Sequence, residues 1–180
     1  MKSRSVTALV LVTGLLAAIT SGVCAADTDA PVSALKPIDP QRYLGRWYEV
    51  ARVPNAFQKD CATATSDWSP SASGLYDVVQ TCPAGAPKGP AKVWRGAGRV
   101  LDQSEARIRI AFFGGFFKQD YVVVDRSDDY SWCILSTAKP KYIWIMSRQP
   151  ALEPSQRTAL AARARQLGLD ISRLVYDQPS

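Results

Sequence analysis

Hydrophobic residues recur in short runs of β-strand character from about residue 43 to residue 148. The runs are rich in Val, Ile, Tyr, Phe, Trp and Thr, and clusters of Gly, Pro, Ser and Asp separate them. They cover residues 47–53, 61–68, 75–82, 91–101, 107–113, 121–125, 131–136 and 142–147. Short strands at fairly even spacing are typical of an antiparallel sandwich or barrel, and eight of them fit an up-and-down barrel. We therefore predict an all-β fold, an eight-stranded antiparallel up-and-down β-barrel.

One later segment, residues 153–167, has the periodicity of a helix instead. Its apolar stripe consists of Leu160, Ala161, Ala164 and Leu167. Pro154 suits the first turn of a helix, and Gly168 is a natural stop. The strand at residues 142–146 is apolar on both faces, so its outer face needs a cover. We predict that a C-terminal α-helix packs outside the barrel and that residues 169–176 add one more short strand.

The first 25 residues have the pattern of a secretory signal peptide. Lys2 and Arg4 precede an apolar run over residues 6–19, and small residues follow it. The apolar run is shorter than the roughly 20 residues that a membrane-spanning helix needs. We predict a signal peptide at 1–25, a flexible lead-in at 26–37 and one domain at 38–180. The predicted product is exported and periplasmic or secreted; the alternative is an outer-membrane lipoprotein lipidated at Cys24.

Charge and composition narrow the classes of function. The 22 basic and 16 acidic residues give a net charge of +6, and removal of Lys2 and Arg4 with the leader leaves 20 basic residues and +4. The basic residues are scattered, which argues against nucleic acid, while a weak peripheral contact with a membrane stays open. Histidine is absent, which excludes imidazole-dependent triads and removes the commonest metal ligand. We predict no metal site, no cofactor and no catalytic residue.

The cysteines suggest one disulfide. Cys61 and Cys82 flank a predicted hairpin, and their midpoint falls inside its turn, so we expect the two to face each other. An exported protein reaches an oxidising compartment, where such a bond persists. Two unrelated buried thiols are the alternative. Cys133 lies in an apolar run and is predicted to be an unreactive buried thiol, although a reactive thiol or an intermolecular bridge stays open.

Three motifs in a fixed order resemble the sequence blocks of the lipocalin family. They are Gly45-Arg46-Trp47 at the first strand, residues 121–130 as a strand and a charged turn, and residues 142–148 as a late strand ending in arginine. The chain is similar to the bacterial lipocalins and apolipoprotein D over about residues 38–179. The second block departs from the family pattern, because its usual Thr-Asp-Tyr is not intact.

This resemblance implies a closed barrel base. Trp47 would close the base and Arg148 would pack across it, so both are expected to be structural. Gly45 permits a sharp turn into the first strand. The resemblance also places Phe57 in a partial lid after the first strand. The turn that contains Phe113, Phe116 and Phe117 would lie at the open end.

Side-chain alternation along the strands suggests which residues face the interior. Counting from Trp47 places Glu49 and Ala51 inside, and counting back from Arg148 places Met146, Trp144 and Tyr142 there. The predicted ligand-binding residues are Glu49, Ala51, Phe57, Phe113, Phe116, Phe117, Tyr121, Tyr142, Trp144 and Met146. Glu49 is equally compatible with a ligand contact and with a hydrogen-bonded structural carboxylate.

We predict that the protein is not an enzyme and that it binds and carries or stores a small hydrophobic ligand, a fatty acid or lysophospholipid, in the cell envelope. Membrane maintenance is the role that the resemblance implies. One alternative is a lipocalin-fold enzyme of the isomerase kind that uses Cys133, Glu49 or tyrosines. Another is an envelope protein that acts through protein–protein contacts. A monomer and a homodimer are both compatible with the sequence.

Overall fold

The computed structural model describes residues 35–59, 61–83, 90–104 and 106–177. The predicted signal peptide, Cys24 and most of the predicted lead-in lie outside these residues. The strands are β1 (Gly45–Arg52), β2 (Ala64–Pro70), β3 (Tyr76–Pro83), β4 (Ala91–Asp102), β5 (Arg107–Phe112), β6 (Phe117–Arg126), β7 (Trp132–Thr137), β8 (Ile143–Ser147) and β9 (Val175–Tyr176). The α-helices are α1 (Pro40–Tyr43) and α2 (Pro154–Gln166).

Each strand from β1 to β8 pairs antiparallel with the next one along the chain, and β8 returns to pair with β1. The sheet is therefore closed, and the predicted eight-stranded barrel is confirmed. The short strand β9 adds to β1 beyond the ring, with Ala51 opposite Tyr176 and Arg52 opposite Val175. Closure removes the unpaired strand edges that an open sheet would present.

The two faces of the wall form separate apolar clusters. Inside the barrel, Trp47, Trp68, Ile108 and other buried side chains form the main core. On the outside, α2 buries Leu160 and Ala164 against the wall. This position confirms the helix that the sequence predicts, and it covers the outer apolar face of β8. Among the described residues, no helix combines the length and apolarity needed to cross a membrane.

The disulfide between Cys61 and Cys82 is confirmed, with a Cα–Cα distance of 5.3 Å. The geometric reason given for it is wrong, however. Strand β2 pairs with β3 so that Thr65 lies opposite Thr81, which centres the hairpin on residue 73. Cys61 precedes β2, and the chain there runs beside the end of β3, where the Ala62 amide donates to the Pro83 carbonyl at 3.3 Å.

Both ends of the described domain are more firmly packed than the sequence suggests. Residues 35–37 were expected to end a flexible lead-in, yet Lys36 Nζ donates to the Arg126 carbonyl at 3.1 Å. Arg126 in turn donates to the Pro37 carbonyl at 2.6 Å. At the other end, Asp177 follows the last short strand and is buried and ion-paired with Arg52. Both segments are thus held in place by residues that lie far away in the sequence.

Candidate ligand-binding site

Side chains and backbone carbonyls close one end of the barrel. The Arg148 guanidinium carbon lies 3.7 Å from the centroid of the Trp47 ring. Arg148 Nη1 donates to the Arg46 carbonyl at 2.7 Å, and Trp47 Nε1 donates to the Tyr43 carbonyl at 2.8 Å. Gly45, at φ +90°, lets the chain turn beneath this stack. These contacts pair the polar groups at the closed end of the barrel with one another, so this end has a structural role.

A cavity lies above this base and opens at the other end. It is lined by Tyr43, Glu49, Asn55, Ala56, Phe57, Gln58, Ser66, Trp68, Gln80, Trp94, Ile110, Phe112, Phe113, Phe117, Gln119, Tyr121, Leu135, Thr137, Tyr142, Trp144 and Met146. Aromatic side chains dominate this set, and it includes neither lysine nor arginine. A mostly apolar pocket with a few polar groups is typical of a small-molecule site.

Eight of the ten predicted ligand-binding residues line this cavity. They are Glu49, Phe57, Phe113, Phe117, Tyr121, Tyr142, Trp144 and Met146. The interior position predicted for Ala51 is wrong, because a β-bulge between Glu49 and Ala51 interrupts the alternation of β1. Ala51 packs instead with Ile145 and Leu160 in an outer cluster. Phe116 does not line the cavity either, since it is 97% exposed at the tip of the β5–β6 turn.

Sequence reasoning missed two groups of cavity residues. The first comes from α1 and the strands β2 to β7 and includes Trp68, Trp94 and Ile110. For Ile110 the alternation of charged and apolar residues at 107–110 is the signal in the sequence. The second group comes from the loop after β1 and includes Asn55 and Gln58. A loop has no periodic signal, so only tertiary contacts identify these two side chains.

Among the described residues that line the cavity, Glu49 contributes the one buried carboxyl group. Gln58 Nε2 donates to both of its oxygens, at 2.7 and 2.6 Å. Burial, and after it the nearby Asp177 charge, raise the pKa of Glu49 to about 7, although Arg52 and Gln58 act in the opposite direction. Glu49 is therefore a hydrogen-bonded carboxyl that titrates near neutral pH.

The loop over residues 53–59, here called the mouth loop, is tied to the barrel interior through Gln58. Gln58 Oε1 accepts hydrogen bonds from Trp144 Nε1 at 3.0 Å and from Asn55 Nδ2 at 2.5 Å. Asn55 Oδ1 in turn accepts from the Phe57 and Gln58 amides at 3.1 and 3.0 Å. The loop thus has a defined conformation beside the opening.

Aromatic residues surround the opening. The turn between β5 and β6 has left-handed backbone at Phe113, Gly114 and Gly115, with φ of +53°, +67° and +96°. Phe113 is 52% exposed, and Phe116 is almost fully exposed. Phe57 of the mouth loop packs against Phe117, with ring centroids 5.3 Å apart. The open end therefore presents an apolar rim to the solvent.

The thiol of Cys133 does not belong to the cavity. It is fully buried in the main core near Tyr43, and burial raises its pKa. A buried thiol whose protonated form is favoured is a poor nucleophile. The geometry therefore agrees with an unreactive structural residue.

Known proteins resemble this chain in sequence and in fold. The outer membrane lipoprotein Blc of Vibrio cholerae is 29% identical over 151 residues, which cover 81% of this chain and 86% of the relative. Apolipoprotein D of Mus musculus is 26% identical over 148 residues, or 76% of this chain and 74% of the relative. The solved structure of insecticyanin from the tobacco hornworm Manduca sexta superposes with a TM-score of 0.65 at 13% identity. It covers 82% of this chain and 84% of the insecticyanin chain, and it supports the fold alone.

A family model described as a lipocalin-like domain matches residues 38–179. This match spans the whole barrel, the helix α2 and the strand β9. The chain therefore belongs to the lipocalin family, whose members bind small hydrophobic ligands.

Proposed function

We propose that this lipocalin binds a single-chain lipid, a fatty acid or a lysophospholipid, and carries or stores it in the cell envelope. The observation that carries the proposal is the aromatic-lined cavity, which opens at one end and is closed at the other by Trp47 and Arg148. A tail that enters through the rim would contact Phe117, Tyr121 and Trp144. Its far end would approach Tyr43 and Trp68 on the cavity wall.

Burial of the tail supplies the main driving force in this proposal. Each buried methylene contributes about 0.8 kcal/mol, so twelve contribute roughly 10 kcal/mol before the cost of ordering the chain is subtracted. A tail of this kind makes no hydrogen bonds, which matches a lining that is mostly apolar. Selectivity between lipids would then rest on the few polar groups at the cavity and its opening.

We further propose that the protein functions as a binder without catalysis. Glu49 is engaged by Gln58, burial raises the pKa of Tyr121, and Cys133 lies outside the cavity. None of these supplies the paired nucleophile and base that acyl or proton transfer requires. Turnover of an isomerisable lipid substrate, abolished by Glu49→Gln, would favour the enzymatic alternative.

The proposed location is the cell envelope, on the evidence of the leader pattern and of bacterial relatives that are named outer membrane lipoproteins. A periplasmic or secreted form and a form lipidated at Cys24 differ in mass and in their first residue. Intact mass spectrometry of the protein from its native envelope distinguishes them. A mature form that begins at Cys24 and carries acyl chains would support the lipoprotein; an unmodified form that begins after Cys24 would support the soluble protein.

The decisive experiment is a titration of delipidated protein with dodecanoate and with a lauroyl lysophospholipid. Trp144→Ala removes a wall of the cavity and is expected to weaken binding about tenfold. Trp132→Ala is the matched control, because Trp132 lies in the neighbouring strand but packs against the outer clusters. Equal affinity of the two variants, or no binding by the unsubstituted protein, would contradict the proposal.

The exposed aromatic rim at the opening is suited to contact with a membrane surface. We propose that Phe113 and Phe116 touch a membrane surface transiently and so bring the opening close to its lipid source. Such a contact would be peripheral and reversible. It would also shorten the path of a lipid tail through water.

A further inference from the structure

A shallow cleft adjoins the cavity on the outer wall of the barrel. It lies between the first residues of β6 and the turn from β7 to β8. Gln119, Thr137 and Tyr142 line both the cavity and the cleft, so the two spaces share one stretch of wall. The Ala138 amide donates to the Asp120 carbonyl at 3.1 Å, and the pairing of β6 with β7 ends at this point.

The cleft is rich in positive charge. Lys118 on β6 and Lys139 and Lys141 in the turn contribute their ammonium groups, and all three side chains are exposed. In the part of the chain that the structure describes, none of the three has a carboxylate within 4.0 Å of its nitrogen. Arg109 and Asp120 also line the cleft but pair with each other at 2.5 and 2.7 Å, so they add no net charge.

The cavity itself is a poor place for an anion. Among the described residues that line it there is no lysine or arginine, and the charged group in that set is the Glu49 carboxyl. A carboxylate or phosphate buried beside Glu49 would lose its hydration and gain no countercharge, which is strongly unfavourable. An anionic headgroup therefore has its most favourable electrostatic energy outside the cavity, beside the lysines of the cleft.

We propose that this cleft is the headgroup subsite and that it holds the carboxylate or phosphate of a single-chain lipid whose tail lies in the cavity. Lys139 and Lys141 contact the anion, and the tail passes over the rim beside Gln119 and Tyr142, which line both the cleft and the cavity. The protein then prefers anionic lipids over neutral ones with the same tail. This inference rests on the proposed lipid binding and specifies which lipids are bound.

The test compares ligands that share a lauroyl tail: dodecanoate, lysophosphatidic acid, lysophosphatidylcholine and monolaurin. The double variant Lys139→Glu/Lys141→Glu is compared with Arg165→Glu/Arg173→Glu, which makes the same charge change on exposed residues of α2 and the segment after it. We expect the lysine variant to bind the two anionic ligands about tenfold more weakly, because it replaces attraction by repulsion. Its affinity for monolaurin, and all affinities of the arginine variant, should stay unchanged.

The outcomes separate this inference from the function on which it rests. If the unsubstituted protein binds none of the four ligands, the proposed lipid binding fails. If it binds all four equally, or if the two double variants lose affinity alike, lipid binding stands and the headgroup subsite is wrong. Inorganic phosphate tests for a site that needs no tail. It should bind at least about a hundredfold more weakly than lysophosphatidic acid, because it lacks the buried tail, and equal affinity would overturn the assignment to a lipid headgroup.

Discussion

Gln58 Nε2 donates to both carboxyl oxygens of Glu49, at 2.7 and 2.6 Å, and this bond joins the mouth loop to the barrel interior. The same Gln58 side chain accepts a hydrogen bond from Trp144 Nε1 at 3.0 Å on the cavity wall. The conformation of the opening is thus coupled to a buried carboxyl whose pKa is about 7. Stability, loop order and ligand exchange are expected to respond to changes at these residues.

The stability of the protein is expected to fall as pH rises from about 4.5 to about 7. The pKa of Glu49 is raised from 4.5 to about 7 by burial, so its contribution to folding is complete below pH 4.5 and is lost as pH rises to about 7. Burial also raises the pKa of Asp177 to about 6, which acts in the same direction. Glu49→Gln retains an oxygen that accepts from Gln58 but does not titrate. Urea unfolding between pH 4.5 and about 8 should therefore show a shallower pH dependence in the variant, and parallel curves would contradict the assignment.

Loss of the Gln58 amide is expected to loosen the mouth loop. Gln58→Ala removes the bonds to Glu49, Asn55 and Trp144 and should cost about 1–3 kcal/mol of unfolding free energy. It should also raise the pKa of Glu49 further, because Gln58 stabilises the ionised form. Stopped-flow release of a fluorescent fatty acid should become faster. Lys59→Ala is the control, since Lys59 is exposed in the same loop; equal release rates in both variants would count against the coupling.

The closed end of the barrel is expected to depend on Arg148. Arg148→Ala removes the stack on Trp47 and the hydrogen bonds to the Arg46 and Arg42 carbonyls, which together are worth about 2–4 kcal/mol. Arg148→Lys keeps the charge but not the planar fork, so an intermediate loss is expected. Urea denaturation measures both effects against Arg165→Ala on the exposed face of α2. A lysine variant as stable as the unsubstituted protein would show that charge alone suffices.

The disulfide between Cys61 and Cys82 closes a loop with a sequence separation of 21. Its removal in Cys61→Ser/Cys82→Ser should lower the unfolding free energy by about 3 kcal/mol, because the unfolded chain gains freedom. A reductant should destabilise the unsubstituted protein but leave the double variant unchanged.

The native protein should also resist thiol reagents at Cys133, and rapid labelling of that residue without unfolding would contradict its burial.

Membrane contact is expected to depend on the exposed rim. Phe116 is 97% exposed, so Phe116→Asp should leave thermal stability and the binding of monomeric dodecanoate unchanged. Its binding to phosphatidylglycerol vesicles, measured by co-sedimentation, should fall by about tenfold, because a charge replaces an apolar contact. Phe116→Leu, which keeps an apolar side chain, should retain most of the binding. Equal sedimentation of the aspartate and leucine variants would remove the rim from the interaction.

Much of the architecture was predictable because it depends on local periodicity. Runs of β-favouring residues separated by turn residues located eight strands, and the apolar stripe at Leu160 and Ala164 located the outer helix. The resemblance to the lipocalin family implied that Arg148 packs across Trp47, and the structure has these two side chains in contact. The cavity positions of Tyr142, Trp144 and Met146 also follow from alternation along one regular strand.

Other features depended on contacts between distant segments. Ala51 faces outward because β1 contains a bulge where it pairs with β8, and a single extra residue reverses the alternation that follows. Cys61 reaches Cys82 although the two are out of register in the hairpin. Asp177 is ordered by an ion pair with Arg52, from which it is separated by 125 residues.

By itself, the sequence determined the strands, the helix and the apolar character of the interior, because each is a property of neighbouring residues. Only the tertiary structure decided that Gln58 holds Glu49 beneath the mouth loop and that three lysines gather beside the cavity wall. These arrangements arise when the barrel closes and brings together side chains from loops and strands that no local pattern relates. The physical reason is that packing and register, rather than local preference, determine which side chains share one site.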